Sequence, residues 1–526
     1  MNILSRNSVG IERLCGPLLN SWLEKISLFY IFIHSFLFVG GWTKLYIAIP
    51  ACILLIIGAC LSGKPEKNIE GAKKELYFPP AVLVSVFFLV VIIVFLSGIG
   101  GYAHQHGEYR KHNALLLELI ESDWPLGFSN LGPENKTYAL VTYMGYYLPA
   151  AIVGKVLGWS VACHFTFLWA VLGIYLTVLW FLKLVGKASF WFALLFLFFG
   201  GLDIIGHTLL YGWPQNAVDF PGGHVLDVWL IFSSTIRGFH WIFPSNMVQL
   251  HCGPHHILPN WLILLMVLYR VFYKRSSRDI LFLWAAASVG SVFFFLGMTP
   301  YILLSLWTTK CRKLFSFQNI AAAPILLLIV GLFIISNNGE YPHGWAWQYH
   351  DLTKAWPVLL LFCGLEFGIY AAFCPRITHP DPVSSQRCWF RAMIVVLISC
   401  TMYRLGTYGD FTTKTALPSL IVLVMFLAAA INSARTPTEQ MCAHILKFLL
   451  ALGAVSGLFV ISQAIEYRVD LKPPSYSEVE RLEHLGERHF PVFRQLLADP
   501  NDSFFWKYMA PKLETGNPAD QIQENR

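Results

Sequence analysis

The sequence predicts an all-α polytopic membrane protein of about 13 transmembrane helices, with interfacial helices in its first large outer loop. Three observations carry this prediction. Of 526 residues, 56% are hydrophobic and 13% charged, against roughly 25% charged in soluble domains. Runs of about 20 apolar residues recur from end to end, without the alternation of a membrane barrel. Lys and Arg gather in short connectors between those runs, as in cytoplasmic loops.

The apolar runs lie near 27–41, 44–62, 80–98, 160–183, 188–206, 254–273, 280–297, 299–309, 318–336, 355–374, 391–405, 416–434 and 441–464. The first is expected to be retained, because no small-residue cleavage site follows it. The run at 299–309 reads as a half-span or as part of a helix bent at Pro300. Basic connectors fall at 64–74, 183–187, 274–278, 310–313, 376–391 and Arg435. The segment 137–157 decides the scheme. If it crosses, every later basic connector changes side. Tyr138, Tyr143, Tyr146, Tyr147, Pro149 and Lys155 suit an interfacial helix, and all six connectors then share the cytoplasmic side.

Three regions result: an amino-terminal hairpin and loop (1–79), a transmembrane domain (80–464, with its outer loop at 99–160), and an outer tail (465–526). The tail reads as a short amphipathic helix capped by Ser475 or Ser477, followed by a segment that docks on the membrane surface. Only His34, His164, His379 and His444 of 17 His fall clearly in spans or inner loops. The 11 Cys form no CxxC pair and several sit in apolar runs, which suits small core hydrophobes. The net charge of +7 is scattered and lacks the aromatic platforms of a nucleic-acid binder, so no nucleic-acid partner is expected.

Four stretches could carry chemistry. In the first, His104, His106, Glu108, Arg110, Lys111 and His112 crowd into nine positions just beyond a span. A carboxylate at a membrane boundary is expected to be partly desolvated, which raises its pKa and suits Glu108 as a general base. Arg110 and Lys111 would neutralise phosphate, with His112 beside them. In the second, Arg237, His240, His251, His255 and His256 lead into a span. A helix starting at Pro254 would aim its amino terminus at an outer anion. The third is a turn with Arg404, Asp410 and Lys414; Asp410 and Lys414, four apart, can pair. The fourth, 344–351, holds Trp345, Trp347 and Tyr349, which fit sugar stacking or an aromatic belt.

An early acid in the first outer loop, an interfacial helix, Trp124-Pro125, and Tyr146-Tyr147-x-Pro149 before another interfacial helix resemble the GT-C superfamily of integral membrane glycosyltransferases. The resemblance is clearest over about 80–310. It implies a polyprenyl-phosphate-linked sugar donor, an inverting transfer, and a first-loop acid that activates the hydroxyl of a glycan, lipid or protein acceptor. Glu108 matches that acid. Many members carry two acids adjacent or one apart, whereas Tyr109 and Arg110 follow Glu108; no cofactor is certain, and a divalent metal stays open. The expected location is a bacterial-type inner membrane among its lipids, with the site on the periplasmic face. Two alternatives are a multi-span transporter of a polar solute and an O-antigen-type polymerase or ligase, which would need Arg237 or Arg404 instead of Glu108.

Overall fold

The computed structural model describes residues 3–64, 76–131, 136–211, 228–230, 240–339, 341–349, 352–374, 384–406, 409–467 and 472–513, with side chains omitted over 3–20 and at a few further positions. Helix α1 (Ile3–Trp42) and α2 (Leu45–Ser62) form the first hairpin and α3 (Pro80–Leu96) follows. The outer loop holds α4 (Tyr109–Glu121), strands β1 (Gly127–Leu131) and β2 (Lys136–Leu140), and α5 (Leu148–Leu157). Then come α6 (Trp159–Val185), α7 (Phe190–Leu197), α8 (Asp203–Tyr211), β3 (Val228–Leu230) and β4 (His240–Ile242). Next are α9 (Asn246–Cys252), α10 (Pro254–Ile257), α11 (Asn260–Tyr269), α12 (Ile280–Gly290), α13 (Val292–Thr308) and α14 (Ala323–Ile335). Beyond them lie β5 (His343–Trp345), α15 (Ala346–Tyr349), α16 (Leu352–Cys363), α17 (Ile369–Phe373), α18 (Ser384–Cys400), β6 (Tyr403–Leu405), α19 (Asp410–Thr415), α20 (Leu417–Ser433) and α21 (Pro437–Tyr467). The tail adds α22 (Leu482–Arg488), α23 (Phe490–Phe493) and β7 (Leu497–Ala498).

Among the described residues, eight helices are long and apolar enough to cross a membrane, and three shorter apolar ones accompany them. No sheet closes on itself: the strands make one three-stranded and two two-stranded sheets. Aromatic side chains such as Trp180, Trp261, Trp389 and Tyr301 are fully buried between helices. Ile49, Ile53 and Ile56 on α2, and Val84, Phe88 and Ile92 on α3, face outward uncovered. An apolar exterior of this extent suits lipid.

The loops sort to two ends. At one, the Arg270 guanidinium donates to Glu24 at 2.6 Å and to Asp279 at 3.0 Å. There Ser277 donates to the Arg312 carbonyl at 2.7 Å, Tyr273 to Leu184 at 2.9 Å and Asn432 to Val185 at 3.2 Å. These contacts gather the basic connectors near 183–187, 274–278, 310–313 and 435. At the other end, which we term the mouth, β2 lies between β1 and β7, so the tail completes the sheet of the first outer loop. Trp159 donates to the Pro474 carbonyl at 2.8 Å and Asn337 to Gln495 at 2.7 Å. The β5–β6 pair joins 343–345 to 403–405.

Several boundaries differ from expectation. The segment 137–157 begins as β2 in the mouth sheet and ends as the ten-residue α5, two residues before Trp159. It leaves from and returns to the mouth, which suits an interfacial segment. The break between 280–297 and 299–309 falls at Ser291, whose backbone is extended, while Pro300 lies inside α13. The run 188–206 is split between α7 and α8. The tail helix is broken into short pieces. Ser475 and Glu478 form a capping box around a single turn instead. The 505–509 segment docks on protein: Lys44 donates its backbone N–H to Met509 at 2.8 Å and Trp506 its indole to Ser336 at 2.9 Å.

Candidate functional site

Glu108 lies one residue before α4. The apolar face of that helix (Leu115, Leu116, Leu119) is buried, so Arg110 and Lys111 stay exposed at its first turn. Lys111 Nζ donates to Glu108 Oε2 at 2.8 Å, and both side chains are about half exposed. This overturns the expected raised pKa. The Lys111 ammonium holds the Glu108 carboxyl well below its ordinary range, at about 2, against the opposing effect of partial burial. Glu118 moves the other way, raised by burial, and accepts from Ser122 at 2.6 Å. Glu121 pairs with Arg481 and Tyr476 of the tail.

Behind the pair lies a cluster of imidazoles. His112 is buried on the inner face of α4. Its Nε2 is 3.1 Å from the Cys252 carbonyl and its Nδ1 2.7 Å from the Tyr147 hydroxyl. A carbonyl only accepts, so Nε2 carries the proton and Tyr147 donates to Nδ1. Burial, then the Lys111 charge, push His112 down to about 4, so it is neutral at pH 7. His255 lies 4.7 Å from His112 and 3.9 Å from His256 between ring centroids. His256 Nδ1 is 3.0 Å from Ser291 Oγ, and the Tyr143 ring meets His256 edge-on at 5.2 Å. His255 Nδ1 and Tyr146 Oη are buried without a partner.

The helix-terminus reading of His255 and His256 fails. Their helix α10 is a single turn, ended by an extended Leu258 before α11 begins at Asn260. One turn aligns too few peptides to act as a dipole. His251 belongs to α9 and does not share a helix face with His255. It is held at about 3, first by burial and then by His106 and His104, whose rings lie 6.0 and 6.2 Å away. Among the described residues, no group of three or more His, Cys, Asp or Glu is arranged to hold a metal ion.

On α19, Lys414 Nζ donates to Asp410 Oδ1 at 2.6 Å, the pair expected from their spacing. The Lys414 charge reaches Glu108, His112, His255 and His256, so the first three stretches meet at one place. Arg404 is buried on β6, its guanidinium 4.8 Å over the Tyr349 ring and its Nε donating to Gly406 at 3.4 Å. Arg237 and the side chain of His240 lie outside the described residues. Trp345 and Trp347 stack at 4.8 Å beside Tyr403.

A cleft opens between α4, α6 and the mouth. Its lining mixes polar His112, Asn113, Tyr146, Tyr147 and Thr166 with apolar Ile99 and Leu116. Ser291 and the Cys252 carbonyl belong to the site without any signal in composition or charge. Tyr147 was readable as part of a tyrosine cluster and of the Tyr-Tyr-x-Pro motif, but not as the partner of His112. No protein-family model, curated protein or solved structure matches this chain.

Proposed function

We propose that this chain is a membrane glycosyltransferase of GT-C type. It crosses a bacterial-type inner membrane about 13 times with the mouth on the periplasmic side, and moves a sugar from a polyprenyl-phosphate donor to a hydroxyl acceptor with inversion. One observation carries the reading. A carboxylate, two lysines and a cluster of imidazoles, with His112 neutral, meet beside an amphiphilic cleft at one end of an apolar bundle. A lipid-linked phosphate needs such a boundary, since its tail requires hydrocarbon and its sugar requires water.

In this reaction Glu108 takes the proton of the acceptor hydroxyl. The acceptor oxygen bonds to the anomeric carbon, the bond from that carbon to the phosphate oxygen breaks, and polyprenyl phosphate leaves with the electron pair. Lys111 and Lys414 neutralise the phosphate. Glu108→Gln in proteoliposomes supplied with polyprenyl-phosphate sugars is expected to lower transfer by roughly 10²-fold or more. Unchanged turnover by folded protein would remove Glu108 from the role. A carrier reading draws on one observation, two acids (Glu366 and Asp203) buried among the helices. Solute flux without transfer would favour it.

A further inference from the structure

Both lysines of the site are already engaged. Lys111 holds Glu108 at 2.8 Å and Lys414 holds Asp410 at 2.6 Å, one pair on α4 and the other on α19. The groups behind them are rings already in contact with one another. His112 and Tyr147 complete each other, and His256 meets Ser291. An entering anion can meet the exposed Arg110 directly, but to reach either lysine it has to displace a carboxylate.

We infer that the Lys111–Glu108 pair is a latch. A phosphate anion draws Lys111 away from Glu108, and this exchange leaves the carboxylate free to accept the acceptor proton. The inference rests on the transferase reading above and adds the order of events within it. Charge balance supports the exchange. The donor phosphodiester carries one negative charge, and the departing monoester gains a second as the bond to the anomeric carbon breaks. At the same moment Glu108 becomes neutral by taking a proton. Lys111, already drawn to the phosphate, thus faces an anion that grows while the carboxylate it left is neutralised. Its interaction with phosphate is strongest in the transition state, where it accelerates the reaction. The latch also accounts for a base whose resting carboxylate is held so far from useful basicity. Both side chains are about half exposed, so the pair can open without unpacking the fold.

The test is equilibrium binding of farnesyl phosphate to the full chain in lipid nanodiscs, with thermal unfolding as the check on folding. Removing the competitor by Glu108→Gln is expected to tighten binding by about fivefold, the scale of an exposed ion pair. Lys111→Met is expected to weaken it. The gain from Glu108→Gln is expected to vanish in the Lys111→Met background, because the two substitutions act on one contact. Equal or weaker binding by the Glu108→Gln variant would overturn the latch and leave the phosphate site standing. So would a gain that persists without Lys111. Absence of binding by every folded form would overturn the site and the transferase reading with it.

Discussion

The tautomer of His112 follows from its two partners, and so does the effect of losing one. Tyr147→Phe keeps the ring packing but leaves Nδ1 of His112 buried without a donor. The expected cost is about 1–3 kcal/mol, read as a lowered unfolding midpoint in detergent. The imidazoles also set a pH dependence. His112 titrates at about 4 and His251 at about 3 in the folded protein, against 6.5 ordinarily. Below that ordinary value the unfolded chain binds protons that the folded protein refuses, so stability falls as pH drops from 6.5 toward 4. His112 alone contributes on the order of 3 kcal/mol to that loss. Glu108 acts lower, in the same direction. Its folded pKa is depressed, so its contribution is present above the ordinary carboxylate range and lost as pH falls toward 2. Unfolding midpoints between pH 7 and pH 4 should decline steadily, with a shallower slope for His112→Asn. A flat profile would contradict the burial of these rings in neutral form. The position of Glu108 was readable from the sequence and its protonation was not. Lys111, three residues on, faces it only because α4 begins at Tyr109.

The α12–α13 hairpin shows where sequence signals mislead. Of the two readings of 299–309, the structure has the longer helix with Pro300 inside it, but the gap between the two apolar runs does not mark where α13 begins. Ser291 makes the turn. Its hydroxyl accepts from the Phe294 N–H at 3.4 Å, capping α13, and meets His256 Nδ1 at 3.0 Å. Gly290 beside it lets Asn260 approach, since a Cβ there would lie 3.0 Å from the amide of that residue. Ser291→Ala therefore removes a helix cap and a partner of His256 together. The expected loss is about 1–3 kcal/mol, checked by thermal unfolding, with Ser291→Thr retaining most of the stability. Apolar period and length gave away the long helices because they depend on local composition. The tail did not yield to the same reading. Gly486 packs directly under Phe493, and β7 is two residues long, so its register comes from β2 and not from its own pattern.

At the scale of the whole molecule, the two ends carry the functional reading. The mouth joins the first outer loop, Asn337, 343–345, 403–405 and the tail through side-chain and strand hydrogen bonds, and the opposite end joins the basic connectors near 183–187, 274–278, 310–313 and 435. On the proposed reading, the positive-inside rule orients the bundle with the connectors in the cytoplasm and the site outside. Three positions test this. Gly107 is exposed and a Cβ there meets nothing, so Gly107→Cys is benign. Tyr476 is exposed on the tail at the mouth. Cys311 is a native exposed thiol in a basic connector. In a chain stripped of its other cysteines, a membrane-impermeant maleimide should label Gly107→Cys and Tyr476→Cys in intact cells, and Cys311 only after permeabilisation. Opposite behaviour of the first two would break the shared mouth. Labelling of Cys311 alone in intact cells would keep the two-ended bundle but invert it. The lysine–carboxylate latch would then face the cytoplasm, where a periplasmic transferase could not use it.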